Sequence, residues 1–414
     1  MAVGLKEKTM KFNPPARALA VLAAAAAVVP LAACSNDDDG GESSTSGATV
    51  TEMDFQYEGQ SSEDMQAAID VCAADGLTVD REAVPFDQFV QKVLLSASSK
   101  DLPDVMFVDY ANLPQIAKTG VLVPLDSVGV DYSSIQDNVL DFGNYDGEQY
   151  GAAPGVNTLA LFYNKAIFAE AGLEPPTNWD ELKQTALALT TADRYGLAFS
   201  ANAGEEAVFQ FQPFLWSNGG EMTALDSPEA VEALTYVTGL VEDGSASRSV
   251  VSWSQADVND QFISGKAAMQ VNGSWQIPVL KGQTDVDWGV VQIPAPAGRT
   301  SITPFGGENW VITVTGAENP ASAEFVQCMI DTEAMNTWAT AHYYVPTNAE
   351  EAAAYAENTP DMATFVEAVA TAKNKLQGIA DGYETASTNL STAIQAALTG
   401  SATPADALAA AAQQ

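Results

Sequence analysis

The chain has 414 residues with 17 Lys and Arg against 54 Asp and Glu, a formal charge of −37, and 47% apolar residues. So few cations exclude binding to nucleic acid by phosphate neutralisation, and the apolar content at this length suits a large core shared by two domains or lobes. One histidine, His342, argues against a multi-His zinc site and a Ser–His–Asp hydrolase, and three cysteines are too few for a disulfide scaffold or a Cys₄ metal site. No metal or cofactor is expected. The first element is a leader: Lys6, Lys8, Lys11 and Arg17 against Glu7, then the apolar run from Ala18 to Val29 and small residues up to Cys34. This is the layout of a secretory signal peptide, and its apolar run is too short to span a bilayer permanently.

Leu31-Ala32-Ala33-Cys34 resembles the bacterial lipobox. The resemblance implies cleavage after residue 33 and lipid attachment at Cys34, which becomes the membrane contact of the mature protein. Removing residues 1–33 takes away four cations and one anion, leaving 381 residues with 13 cations against 53 anions, a net −40. Ser35 to Ala48 has no apolar period, so residues 34–49 are expected to be a disordered tether.

From about Val50 short apolar runs alternate with amphipathic helical stretches, the pattern of an α/β protein. Asp104–Asp109, Trp288–Ile293 and Asn309–Val314 read as strands, the first buried on both faces. Thr177 and Asp180 form a capping-box-like pair ahead of Leu182, Thr185, Ala186 and Leu189. Ser227-Pro228 and Asn319-Pro320 each place a cap residue before proline at the first helical position, and Gly244 ends the first of those helices. Thr385 to about Ala412 reads as one helix. Pro154, Pro304 and Pro346 sit in short irregular segments that, taken alone, are turns.

Two segments are specific, Tyr163–Leu182 (YNKAIFAEAGLEPPTNWDEL) and Phe262–Met269 followed by Asn272-Gly273-Ser274-Trp275. With Leu215–Glu221, Ser227–Leu234, Pro103–Val105, Tyr150-Gly151, Pro304–Gly307 and Val345–Thr347 in the expected order, they resemble family 1 extracellular solute-binding proteins. The match covers about residues 50–410. It implies a two-lobed, periplasmic-binding-protein-like (type II) α/β fold, with a three-segment hinge and an interlobe cleft. Lobe one is expected at 50–153 and 305–345, lobe two at 155–303 and 347–411, with the three proline segments as hinge crossings. The implied activity is capture of a solute, a carbohydrate by analogy with maltose-binding relatives, and its delivery to the permease of an ABC importer by a monomeric receptor.

Sugar recognition needs aromatic faces against C–H faces and carboxylates or amides on hydroxyls. By the resemblance, Trp275 falls at a sugar-stacking position, Asn157 where relatives carry a carboxylate, and Phe209 at a stacking aromatic. Asp109 and Tyr110 follow a buried strand whose end is expected to face the crevice. Glu308 and Trp310 lie past the second crossing, Tyr57 and Glu58 after the first strand, and Tyr383 and Trp253 are rim candidates on lobe two. Trp179 and Trp216 read as structural. Cys72 and Cys328 lie on lobe-one helices and either pair or stay as two buried thiols. Two other functions compete: the same fold holding a cationic solute such as a polyamine or peptide, and an exported glycosidase using two carboxylates. No G-x-S-x-G, H-E-x-x-H or Gly-rich phosphate loop supports an enzyme.

Overall fold

Two open sheets divide the work of the fold. The computed structural model describes residues 47–413, apart from residues 58, 74, 75, 377, 380 and 381. The expected leader and the expected lipid site at Cys34 therefore lie outside the described residues. The expected tether reaches too far: the Gly47 amide donates to the Gly76 carbonyl, and Thr49 already belongs to a strand.

The chain opens with β1 (Thr49–Asp54), α1 (Gly59–Cys72), β2 (Thr78–Ala83), α2 (Phe86–Ser99) and β3 (Val105–Asp109). After α3 (Leu113–Ala117) and α4 (Asp137–Leu140) come the short strands β4 (Asn144–Tyr145), β5 (Glu148–Gln149), β6 (Gly151–Ala152) and β7 (Gly155–Asn157). Next run β8 (Leu159–Asn164), α5 (Lys165–Ala171), α6 (Trp179–Leu189), β9 (Tyr195–Ala198), α7 (Glu205–Ser217), α8 (Pro228–Glu242), α9 (Gln255–Ile263), β10 (Ala267–Gly273), α10 (Ile277–Lys281) and β11 (Trp288–Val291). The last part holds β12 (Gly306–Ile312), α11 (Pro320–Ile330), α12 (Thr332–His342), β13 (Val345–Pro346), α13 (Ala349–Asn358), α14 (Ala363–Val369), α15 (Tyr383–Thr399) and α16 (Pro404–Ala412).

The first sheet has the order β13-β7-β12-β3-β1-β2, with β6 also on β12; the second has the order β11-β8-β10-β9. Strand β3 is apolar from Val105 to Val108 because both its faces are covered there. Phe107 meets Trp310 and Trp338 on one face, at ring distances of 4.7 and 5.3 Å, while Met106 and Val108 join the cluster containing Phe89, Val93 and Leu113 on the other. Cys72 and Cys328 are bridged, with Cα atoms 5.8 Å apart, tying α1 to α11. In the second lobe α7 is buried from Ala207 to Ser217, which is why apolar residues dominate its sequence after the acidic first turn.

Three passages join the sheets; the second falls at Pro304 as expected, while the first and third lie just past their prolines. Gly155–Asn157 pairs with β12 and β13, so the first passage lies at Thr158, past Pro154. The Thr158 hydroxyl bonds the Pro304 carbonyl (2.6 Å) and the Thr303 hydroxyl (2.7 Å), lacing the first passage to the second. The third runs from Thr347, whose hydroxyl donates to the Ala153 carbonyl, to Lys373, whose amide donates to the Thr303 carbonyl. Helix α14, expected in lobe two, lies against β7, β8 and β13 and so touches both sheets.

Local signals held with small displacements. Asn178, not Thr177, caps α6, its side chain accepting from the Glu181 amide, while Thr177 donates its hydroxyl to the Glu181 carboxylate. Ser227 and Asn319 cap α8 and α11 through their side chains. The C-terminal helix is two helices: Gly400 takes φ +76° and Pro404 restarts the chain with Thr403 as its cap.

Candidate functional site

A cavity of about 610 Å³ opens between Val90 and the Asp109–Lys118 stretch on one side and Gly204, Glu205, Lys375, Tyr383, Glu384 and Ser387 on the other. It therefore sits at the carboxyl end of β3 and at the first turns of α7 and α15, where strand ends and helix N-termini converge.

Asp109 ends β3 and turns the chain by accepting from the Ala111 amide at 2.8 Å. Burial raises its pKa, and the Lys375 ammonium pulls it back down. Across the cavity Glu205 gathers three donors: Lys375 Nζ at 2.7 Å and the Tyr383 hydroxyl at 2.5 Å on Oε1, and the Ser387 hydroxyl at 2.5 Å on Oε2. Burial, reinforced by the Glu205 charge, pushes the Tyr383 phenol well above its ordinary value, so it remains a donor.

Behind Lys375 lies a strip of aromatic and amide groups. The ammonium stands 4.7 Å from the Tyr110 ring centroid, 5.4 Å from Phe209 and 5.5 Å from Tyr383. Phe209 is 6.3 Å from Trp275. The Asn-Gly-Ser-Trp motif has a packing reason: a Cβ on Gly273 would fall 2.0 Å from the Trp275 ring. Gly306 is likewise required, because a Cβ there would lie 2.1 Å from Asn157 Oδ1. Asn157 and Gly306 are register partners, as are Asp109 and Glu308. Glu308 accepts from the Tyr344 hydroxyl at 3.4 Å and has no cation beside it; burial first, and then the Asp109 charge, push its carboxyl up to about 8.

The sequence candidates thus separate. Asp109 and Tyr383 line the cavity, and Tyr110, Phe209, Trp275, Asn157 and Glu308 stand in the strip behind it. Tyr110 is fully buried, its ring stacked on Phe142 and its hydroxyl donated to the Phe305 carbonyl, so it offers only one face. Trp310 is not a cleft residue: it shares the Glu308 face of β12 but lies two residues further along, fully buried between Phe107 and Phe325. Trp253 is not a rim residue either; it packs on the Ala198–Val258–Ala267 cluster. Tyr57 is 51% exposed and does not line the cavity, and Glu58 lies outside the described residues. Glu205, Lys375 and Ser387 were missed. The only signal for them was the acidic first turn of α7 behind Gly204 and the rarity of lysine in so acidic a chain. His342 stacks on Trp338 at 3.6 Å, a core contact. Among the described residues no group of three or more His, Cys, Asp or Glu is arranged to hold a metal ion.

Two sheets joined by three passages, with a polar–aromatic cleft beside them, are the architecture of a solute-binding protein. Residues 66–366 match the bacterial extracellular solute-binding protein family, and the chain belongs to that family. It is similar to the cyclic α-maltosyl-1,6-maltose binding protein of Arthrobacter globiformis: TM-score 0.77 and 28% identity, covering 88% of this chain and 97% of that one. The GacH receptor of Streptomyces glaucescens, solved unliganded and with acarbose, superposes with a TM-score of 0.76 at 25% identity, covering 89% and 97%. A maltooligosaccharide ABC transporter solute-binding lipoprotein of Streptococcus pneumoniae (strain ATCC BAA-255 / R6) is 25% identical over 300 residues, 66% of each chain. The fold is the type II periplasmic-binding-protein fold that the motifs implied.

Proposed function

We propose that the chain is a monomeric carbohydrate receptor of an ABC importer, held at the extracytoplasmic face of the cell membrane by lipid on Cys34. The observation that carries the reading is the composition of one cleft. Carboxylates at Asp109 and Glu205 and hydroxyls at Tyr383 and Ser387 suit sugar hydroxyls, while Phe209 and Trp275 supply faces for pyranose C–H groups. The names of the relatives support it. Binding shifts a two-state opening equilibrium by the ligand's differential affinity for the closed form, and no turnover is expected. Among the described residues no helix is long and apolar enough to cross a membrane.

A thermal-shift screen of residues 35–414 against mono-, oligo- and cyclic saccharides tests the reading, with polyamines and peptides as controls. A rise in melting temperature with a saccharide supports it. The second reading, a cationic solute, rests on Asp109, Glu205 and Glu384 around the cavity. Stabilisation by polyamines alone, lost at high salt, would replace the first reading with the second.

A further inference from the structure

The cleft has two compartments, and one side chain stands between them. The outer is the cavity bounded by Asp109, Glu205, Tyr383 and Ser387. The inner is the face of Phe209 and Trp275, neither of which lines that cavity. Lys375 lines the cavity, while its ammonium is held inside a cage of Tyr110, Phe209 and Tyr383 rings with Glu205 as counter-ion. Its side chain is only 5% exposed. The cage draws on both lobes, since Tyr110 follows β3 and the other two rings sit on α7 and α15. The next residue back along the chain, Asn374, reaches lobe one too, donating to the Asp141 carbonyl at 3.0 Å.

We propose that Lys375 is a built-in competitor of the ligand: its ammonium fills the aromatic cage that a sugar ring must enter to reach Phe209 and Trp275, so it sets affinity and selects ligands able to displace it. The inference rests on the carbohydrate reading for the identity of the ligand, though not for the filling of the cage. A lysine suits the role. It is a point charge on a flexible stem, and Glu205 keeps two hydroxyl donors when the ammonium leaves. The fraction of molecules with the cage open multiplies the intrinsic affinity, so removing the occupant raises the apparent affinity without a new contact. A lysine acting as a direct sugar ligand gives the opposite sign.

Two measurements test this. In NMR of lysine-labelled protein without sugar, the Lys375 side-chain signal, assigned by its loss in Lys375→Met, is expected well upfield from ring currents; a signal at the ordinary lysine position overturns the caged state. In titrations with the saccharides that stabilise the wild type, Lys375→Met is expected to bind roughly tenfold more tightly, the scale of one or two cation–π contacts released. Lys375→Arg, which keeps a cation over the rings, is expected to gain nothing. Equal or weaker binding by Lys375→Met overturns the competitor role. Should neither wild type nor variant bind any saccharide, the competitor role falls together with the carbohydrate reading, and the upfield signal still decides whether the cage is filled.

Discussion

Two cation–carboxylate pairs, one in each lobe, are built from the same charges for opposite ends. In lobe one Arg81 on β2 grips Asp54 through Nε (2.5 Å) and Nη2 (3.1 Å), and spends its remaining donors on the Ser62 and Gln56 carbonyls. The pair is nearly sealed, the Arg81 side chain at 10% exposure and Asp54 at none, and it fixes both the start of α1 and the chain after β1. In lobe two Lys375 bonds one carboxylate, rests on rings and borders a cavity. A guanidinium fork meets a carboxylate and two carbonyls at once and locks a loop; an ammonium on a flexible stem can be withdrawn. The first pair holds structure, the second is placed where exchange matters.

The sharpest way to break the contrast is Arg81→Leu. It strands the fully buried Asp54 carboxylate and should cost about 3–5 kcal/mol in urea unfolding. The Cys72–Cys328 bridge secures the other end of the helix that Arg81 holds, and closes a loop across 256 residues. Replacing both cysteines with serine should cost about 2–4 kcal/mol by the same assay. Mass measurement with and without reductant should show two thiols only after reduction.

A third carboxylate sharpens the comparison by having no cation. Glu308 holds its proton in the folded chain up to about 8, against an ordinary value of 4.5. Between those values the folded state binds more protons than the unfolded state, so stability falls as pH rises through the window and levels off above it. Glu52, also raised by burial, adds to the same fall. Glu308→Gln should make the decline shallower in melting curves taken from pH 5 to 8. Lys375→Met stands at the small end: a change below about 1 kcal/mol, because its carboxylate is partly exposed and keeps two hydroxyl donors. A loss comparable to that of Arg81→Leu would erase the distinction between the pairs.

The sequence carried the fold further than the site. Asp104–Asp109 was legible as a doubly covered strand because its apolar run has no polar alternation, and Asn319-Pro320 and Ser227-Pro228 announced their helices through chemistry local to the cap. Trp310 failed for the same reason that β3 succeeded: β12 is buried along its whole length, and Glu308 and Trp310 share one face, so alternation does not show where the cleft end gives way to core. Thr158 was hidden because a passage between sheets is defined by which strands pair, and Pro154 is only a nearby turn. Glu205 and Lys375 lie 170 residues apart in the chain and meet only through the fold. No spacing rule reaches that far.

The central claim is that this cleft binds a saccharide against its inner aromatic face. Intrinsic tryptophan fluorescence, titrated with the saccharides that raise the melting temperature, tests it most directly in the wild type and in Trp275→Ala. The account predicts a saturable change in the wild type and an affinity lower by about tenfold or more in the variant, the scale of one lost stacking face. Undiminished affinity in Trp275→Ala, or no saturable response of the wild type to any saccharide, would contradict it.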